Sequence, residues 1–155
     1  MIRKAEKKDI PRLIELLYQV DMVHYSGRPD IFKGPATKYD AEQLEALLAD
    51  DTSPIFVYVD DEDIPLGHAF CVHKRHTKNR VLTDIKTLYI DDICVDEKVR
   101  GRHIGKALYD HIIGYAKANG FYNVTLNVWT FNPAAIKFYE AMGMAPQKLG
   151  MEKIL

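Results

Sequence analysis

The sequence has few of the residues that cross-link a fold or anchor it in a membrane. It contains only two cysteines, Cys71 and Cys94, and no CxxC pair. This spacing matches no zinc site, and isolated cysteines among apolar residues are more often small core residues than a disulfide. No apolar run approaches the roughly 18 residues that span a bilayer, and the charged N-terminus lacks the apolar region of a secretory signal. We expect a cytoplasmic protein without a metal site or membrane association.

An excess of positive charge is also absent. Lys and Arg number 21 against 22 Asp and Glu, giving a net charge of −1, whereas nucleic-acid binders normally carry a basic surplus. We therefore expect no nucleic-acid partner. The chain is 47% hydrophobic, which is too apolar for disorder, and its length predicts a single domain over residues 1–155.

Hydrophobic periodicity predicts an α/β domain with a mixed sheet, in the order β-α-α-β-β-β-α-β-α-β. The predicted strands are 2–5, 55–59, 66–72, 82–95, 124–128 and a final strand or hairpin in 145–155. The predicted helices begin near Asp9, Asp40, Gly101 and Asn132, and residues 21–39 are mostly loop. An antiparallel meander followed by a right-handed strand–helix–strand crossover favours helices on both faces of the sheet.

The most informative segment is the glycine-containing turn between the long strand and the third helix. A helix N-terminus offers free N–H groups and a favourable dipole to an anion, and Arg100, Arg102 and Lys106 add positive charge here. A Walker A loop is excluded, because only three residues separate Gly101 from Gly105. Alone, the turn could also be a simple capped helix entrance.

Neighbouring motifs favour a specific family. Residues 99–108 resemble the R-x-x-G-x-G/A segment of the GNAT superfamily of acyl-CoA-dependent N-acetyltransferases, and strand 90–95 is similar to the strand that precedes it there. Residues 132–144 resemble the family's N-x-x-A-x-x-F/L-Y-x-x-x-G-F segment. The order of predicted elements fits this GNAT-like fold from residue 2 to the C-terminus. One position departs: His103 replaces the first motif glycine, which keeps the N–H donor but adds a Cβ.

The resemblance implies acetyl-CoA as the cosubstrate. In the family a bulged strand binds the pantetheine arm, which maps onto the backbone of Ile93, Cys94 and Val95, with the Ile93 N–H facing the thioester carbonyl. The pyrophosphate would lie on the N–H groups of the turn. The further cofactor-binding residues that the resemblance implies are Arg100, Gly101, Arg102, His103, Ile104, Gly105, Lys106, Asn132, Ala135 and Tyr139.

The implied reaction is direct transfer of an acetyl group to a primary amine of a small molecule, peptide or protein. Strand alternation gives Asp91 the parity of Ile93, so we favour Asp91 over Asp92 as the base, directly or through water. Both carboxylates could instead be solvated or ion-paired. Tyr139 matches the family's general acid, although a tyrosine on a short helix is often only a core residue.

The resemblance leaves the acceptor and the assembly open. Residues 21–39 correspond to a connection that overhangs the acceptor cleft, so His24, Tyr25, Arg28 and Phe32 could select the amine or merely fix the loop. A homodimer is compatible with the family. The alternative function is a catalytically silent regulatory module that binds CoA or acetyl-CoA.

Overall fold

The computed structural model describes residues 1–155 and arranges five strands in one sheet, in the spatial order β1-β2-β3-β4-β5. The first four strands pair antiparallel and the last pairs parallel. The strands are β1 (Ile2–Lys4), β2 (Ile55–Val59), β3 (Pro65–Lys74), β4 (Thr87–Val95) and β5 (Asn123–Leu126). The helices are α1 (Ile10–Gly27), α2 (Ala41–Leu48), α3 (Ile104–Ala118) and α4 (Pro133–Ala141). The predicted mixed sheet is confirmed.

Local sequence signals account for where the first two helices begin and end. Pro11 lies in the first turn of α1, where a missing N–H costs nothing. The Asp40 carboxylate accepts a hydrogen bond from the Gln43 N–H at 2.8 Å, and the Gln43 side chain accepts one from the Asp40 N–H at 3.0 Å. Helix α1 continues to Gly27, so the prediction of a mostly unstructured 21–39 segment is wrong for its first part, because no helix breaker precedes that glycine.

Each face of the sheet carries its own apolar core. On one face, Leu88 and Ile90 of β4 pack with Leu108 and Ile112 of α3. On the other face, strands β2 and β3 pack against α1 and α2 through residues that include Leu13, Leu17, Leu44, Val57 and Phe70. Because Leu108 and Ile112 are completely buried, cutting either to alanine should cost about 2–5 kcal/mol of stability.

Strand β4 is interrupted at Asp91. Phe70 of β3 pairs with Asp92, while the next residue Cys71 pairs with Ile90, so Asp91 is an extra, bulged residue. Parallel pairing with β5 also ends here, since the last pair is Ile90 with Leu126. Beyond this point β4 and β5 separate, so the edge of β4 that faces away from β3 has no strand beside it from residue 91 to 95.

The C-terminal segment 145–155 forms no strand, and none of its backbone groups makes a hydrogen bond within the chain. The expectation of a final strand or hairpin in 145–155 is therefore wrong. The predicted strand 82–95 is also shorter, since residues 82–86 lie in a loop. None of the helices combines the length and apolar character needed to cross a membrane.

Candidate active site

The turn before α3 has the geometry of an anion site. Gly101 has φ +84°, and His103, the N-cap of α3, has φ +59° and ψ +18°. These left-handed conformations orient the chain so that the backbone N–H groups of residues 101–106 donate no hydrogen bond within the protein. Consecutive free amides at the positive end of a 15-residue helix favour a negatively charged group.

The left-handed backbone conformation at His103 explains why the family motif has a glycine at this position. A side chain with a Cβ in the left-handed region costs roughly 1–2 kcal/mol relative to ordinary helical backbone. Histidine is among the residue types that are enriched there. The ring is exposed, and no side-chain hydrogen bond caps the helix. The substitution is therefore accommodated by strain in the backbone, and the N–H groups of the turn remain free.

The free edge of β4 leads directly to this turn. The Asp96 N–H donates to the Leu66 carbonyl of β3 at 2.8 Å. Because amide directions alternate along a strand, the N–H groups of Ile93 and Val95 point the other way, to the open edge. Arg100 lies at the same edge, with Nε 3.4 Å from the Val95 carbonyl oxygen. An extended ligand can therefore hydrogen-bond to β4 as an added strand.

Cys94 alternates with these residues and faces α1. Its Sγ lies 3.7 Å from the Leu16 carbonyl oxygen, and its side chain is buried. Burial, reinforced by the negative charge of Asp92, raises the pKa of the Cys94 thiol to about 12. A buried neutral thiol is a packing group, not a nucleophile.

The two neighbouring aspartates have different partners. The Asp91 carboxylate accepts hydrogen bonds from Lys38 Nζ at 2.7 Å and from the Tyr39 hydroxyl at 3.1 Å. Burial and the Asp91 charge raise the pKa of Tyr39 to about 12. The parity argument that placed Asp91 with Ile93 is wrong, because the bulge shifts the alternation by one residue.

Asp92 pairs with a histidine inside the protein. Its Oδ2 lies 2.6 Å from His68 Nε2, and His68 is completely buried. The other ring nitrogen, Nδ1, is buried without a hydrogen-bond partner. Nothing in the sequence around His68 signals this pairing, because the pairing depends on the β3–β4 register and on the bulge.

Tyr139 is held near Asp92 by helix α4. The side-chain oxygen of Asn132 caps this helix by accepting from the Ala135 N–H at 3.2 Å. The Tyr139 ring packs edge-on against Phe138 at 5.2 Å between centroids. Burial is the main cause that raises the pKa of Tyr139 above its ordinary value, and the negative charge of Asp92 adds to it. The phenol therefore stays protonated well into the alkaline range.

The region around residues 21–39 contains an aromatic cluster that the sequence analysis found only in part. His24 stacks on Phe32 at 4.9 Å, and Phe32 contacts Trp129 edge-on at 5.4 Å. Trp129 stacks on Phe131 at 5.7 Å. Trp129 and Phe131 lie in the short connection between β5 and α4, just before Asn132. Their place beside the α4 motif was the signal in the sequence that could have identified them.

The other two predicted acceptor residues have structural contacts. Tyr25 packs over Gly34, where an added Cβ would lie 2.5 Å from the ring. Arg28 pairs with Asp30 at 2.8 Å and with Glu152 of the C-terminal segment. These carboxylates raise the pKa of Arg28 above its already high ordinary value. Arg28 thus joins the loop to the C-terminal segment.

A separate open cleft of about 860 Å³ lies between α1 and residues 96–100, with Arg12, Gln19, Asp96 and Arg100 in its wall. Neither Tyr139 nor Asp92 lines it.

Comparison with known proteins identifies the family. The model of the acetyltransferase (GNAT) family matches residues 17–144, which include the turn, the bulged strand and α4. The chain belongs to the GNAT acetyltransferase family. Among solved structures, a variant of the BH1408 protein from Bacillus halodurans shares 32% identity and a TM-score of 0.95, covering 100% of this chain and 99% of that one.

Curated GNAT relatives are longer than this chain. An uncharacterized N-acetyltransferase from Methanocaldococcus jannaschii is 42% identical over 96% of this chain and 62% of its own length. The peptidyl-lysine N-acetyltransferase YjaB of Salmonella typhimurium is 32% identical over 68% of this chain and 60% of its own. A glucosamine 6-phosphate N-acetyltransferase of Arabidopsis thaliana is 28% identical over 56% of this chain and 64% of its own. The chain thus spans less than two thirds of these relatives.

Proposed function

We propose that this GNAT protein transfers an acetyl group from acetyl-CoA directly to a primary amine. The observation that carries the proposal is the separation of β4 from β5 after the Ile90–Leu126 pair, which leaves the β4 edge open beside a turn of free amides. This edge and this turn fit an extended arm that ends in a diphosphate.

The backbone would hold the cosubstrate at two places. The N–H groups of Ile93 and Val95 would bind the pantetheine arm, and the Ile93 N–H would face the thioester carbonyl oxygen. The amides of residues 101–106 would bind the pyrophosphate, with Arg100 and Lys106 adding positive charge. Donors that are already oriented toward an oxygen that gains negative charge contribute a few kcal/mol each to catalysis.

Asp92 and Tyr139 would carry the proton transfers. Acetyl-CoA supplies the activated acetyl group, and the attacking amine must be neutral, which costs a lysine-like amine about 4 kcal/mol at pH 7.4 because its pKa is near 10.4. Asp92 would take the proton, directly or through water, with His68 orienting its carboxylate. Tyr139 would donate its proton to the leaving sulfur, since its phenol remains protonated.

Asp91 is the weaker candidate for the base. Lys38 and Tyr39 both donate to its Oδ2, so this carboxylate is already ion-paired with the loop, and the positive charge of Lys38 disfavours proton transfer to it. We assign Asp91 to holding the 21–39 loop over the cleft. The aromatic side chains of His24, Phe32 and Trp129 would then form the wall that the acceptor meets.

The amine acceptor belongs to the class that the relatives' names describe. One is named for an amino sugar phosphate and another for peptidyl-lysine, and both acceptors are primary amines. We therefore choose glucosamine 6-phosphate, a lysine peptide and spermidine as the first acceptors to test.

The test combines binding with turnover. Acetyl-CoA should bind in calorimetry and should shift the amide resonances of residues 101–106, while ATP should not. Release of free thiol from acetyl-CoA should then depend on one of the amines. Failure of acetyl-CoA to bind would refute the proposal. Binding without turnover on any amine would support the silent CoA-binding module instead.

A further inference from the structure

One lysine of the chain lies beside the bulge of β4. Lys38 Nζ is 2.7 Å from Asp91 Oδ2, and Asp91 directly precedes Asp92, the proposed base. The Lys38 side chain is 49% exposed, so its ammonium group is held at the bulge without being enclosed by the protein. A primary amine is the group that receives the acetyl group in the proposed reaction. The chain therefore holds a primary amine of its own next to the proposed base.

The backbone on either side of Lys38 is attached to the rest of the protein. The Tyr39 hydroxyl donates to the same carboxylate oxygen at 3.1 Å, and the Tyr39 ring stacks on Phe70 of β3 at 5.7 Å between centroids. The Ala36 N–H donates to the Asp21 carboxylate of α1 at 3.1 Å. The loop is therefore fixed near β4, and the flexible side chain of Lys38 is the part that can move.

The position of Lys38 leaves only a short distance to the proposed thioester site. The Ile93 N–H, which would face the thioester carbonyl, belongs to a residue two positions after Asp91, about 7 Å along the strand. Four methylene groups make the lysine side chain flexible enough to move its nitrogen over such a distance. An ion pair with a half-exposed lysine contributes little to stability, so it opens readily.

We propose that this GNAT protein acetylates its own Lys38. The inference rests on the proposed function, because the acetyl group comes from acetyl-CoA bound at the same site. Lys38 Nζ attacks the thioester carbon, so that a C–N bond forms and the C–S bond breaks. The ammonium group loses two protons, one through Asp92 to solvent and the other to the leaving sulfur by way of Tyr139. The products are an amide on Lys38 and CoA with a free thiol.

The modification changes how the loop is attached. An acetylated lysine is neutral, so the ion pair with Asp91 is lost, while the hydrogen bond from the Tyr39 hydroxyl remains. Lys33 provides an internal reference, because it is exposed in the same loop but makes no contact with Asp91. Both lysines meet dissolved acetyl-CoA, and only Lys38 is held beside the proposed site.

The first experiment incubates the full chain with acetyl-CoA and no added amine, and follows the intact mass. One adduct of about 42 Da, an acetyl group in place of a proton, should appear, and peptide mapping should locate it on Lys38. Lys38→Arg keeps the positive charge and should lower the rate of adduct formation at least about tenfold. Lys33→Arg is the matched control and should leave the rate unchanged. Because the transfer occurs within one chain, its rate constant should not depend on protein concentration.

The second experiment tests whether bound acetyl-CoA is the donor. An excess of CoA should suppress acetylation of Lys38 by competing for the site, but it should not slow chemical acetylation of Lys33. The proposal is wrong if Lys38 stays unmodified, if Lys33 is acetylated equally fast, or if the rate constant rises with protein concentration. Thiol release with added amines but no acetyl group on Lys38 would refute this inference alone. Failure of acetyl-CoA to bind would refute the proposed function as well.

Discussion

Replacing Tyr139 by phenylalanine separates the chemistry of the phenol from its packing. The ring lies in a well-filled environment against Phe138 and keeps its contacts in the variant. Only the hydroxyl is removed, and no hydrogen bond within the chain is lost with it, so the thermal midpoint should be almost unchanged. If Tyr139 is the proton donor to the leaving sulfur, kcat should fall by about 10²- to 10⁴-fold, equivalent to roughly 3–5 kcal/mol in the barrier.

The pH dependence adds a sign to this prediction. The pKa of Tyr139 is raised by burial and by Asp92, so the neutral phenol persists as the pH rises, whereas an unperturbed tyrosine would be half ionised near pH 10. The ratio of wild-type to variant kcat should therefore stay constant from about pH 7 to pH 10 and should not decline at the alkaline end.

The assay is thiol release from saturating acetyl-CoA with the best amine of the panel, measured for both proteins across this pH range. Calorimetry with acetyl-CoA serves as the control and should give similar affinities. Equal kcat values throughout the range would refute the general-acid assignment. A ratio that falls toward one by pH 10 would instead show that the phenol ionises at an ordinary pKa.

The remaining predictions concern the base, the turn and a buried ion pair. Asp92→Asn should lower kcat by about 10²-fold or more, while the matched Asp91→Asn should change it less than tenfold, as measured by the same thiol assay; the reverse order would favour Asp91 as base. His103→Gly should retain acetyl-CoA binding in calorimetry, and loss of binding would make His103 a specific ligand. The variant should raise the melting temperature by only about 0–4 °C, because glycine relieves the strain of the left-handed backbone but also increases the conformational entropy of the unfolded chain. Burial alone would raise the pKa of Asp96, but the Lys98 N–H and the Arg12 side chain outweigh burial and keep the pKa below its ordinary value. The ionised carboxylate therefore stabilises the fold above about pH 4, and this stabilisation is lost as the pH falls through the lowered pKa of the folded state. Asp96→Asn should lower the free energy of unfolding by about 1–3 kcal/mol near pH 7, measured by urea unfolding, and this difference should shrink in acid. A difference that does not depend on pH would exclude the ionic contribution.

The fold was predictable from the sequence wherever one local pattern decided the outcome. A short continuous hydrophobic run over residues 55–59 predicted β2, and the residues of the turn at 100–106 marked the start of α3 together with its free amides. The family motif located Tyr139 on α4. These features depend on a few neighbouring residues, so a single sequence is sufficient to recognise them.

The features that were mispredicted depend on register between distant segments. The resemblance implies a bulge in this strand, but the sequence of β4 does not show which residue is bulged, so the parity argument did not place the bulge at Asp91. The pairing of His68 with Asp92 depends on that same register across 24 residues. The strand expected in 145–155 has the right alternation but no partner within the chain, and periodicity cannot show where a partner strand lies.

The bulge accounts for the different environments of two chemically identical neighbours. In a regular strand, Asp91 and Asp92 would point to opposite faces, and one would lie in the apolar core beside α3. The extra residue turns both carboxylates away from that core, so one reaches Lys38 and Tyr39 of the loop and the other reaches the buried His68. The same irregularity coincides with the last pair between β4 and β5. A single inserted residue therefore coincides with the open strand edge, turns Asp92 to a position where its charge acts on Tyr139, and joins Asp91 to the 21–39 loop. Deleting Asp91 should disrupt all three features together, whereas Asp91→Asn should affect only the loop.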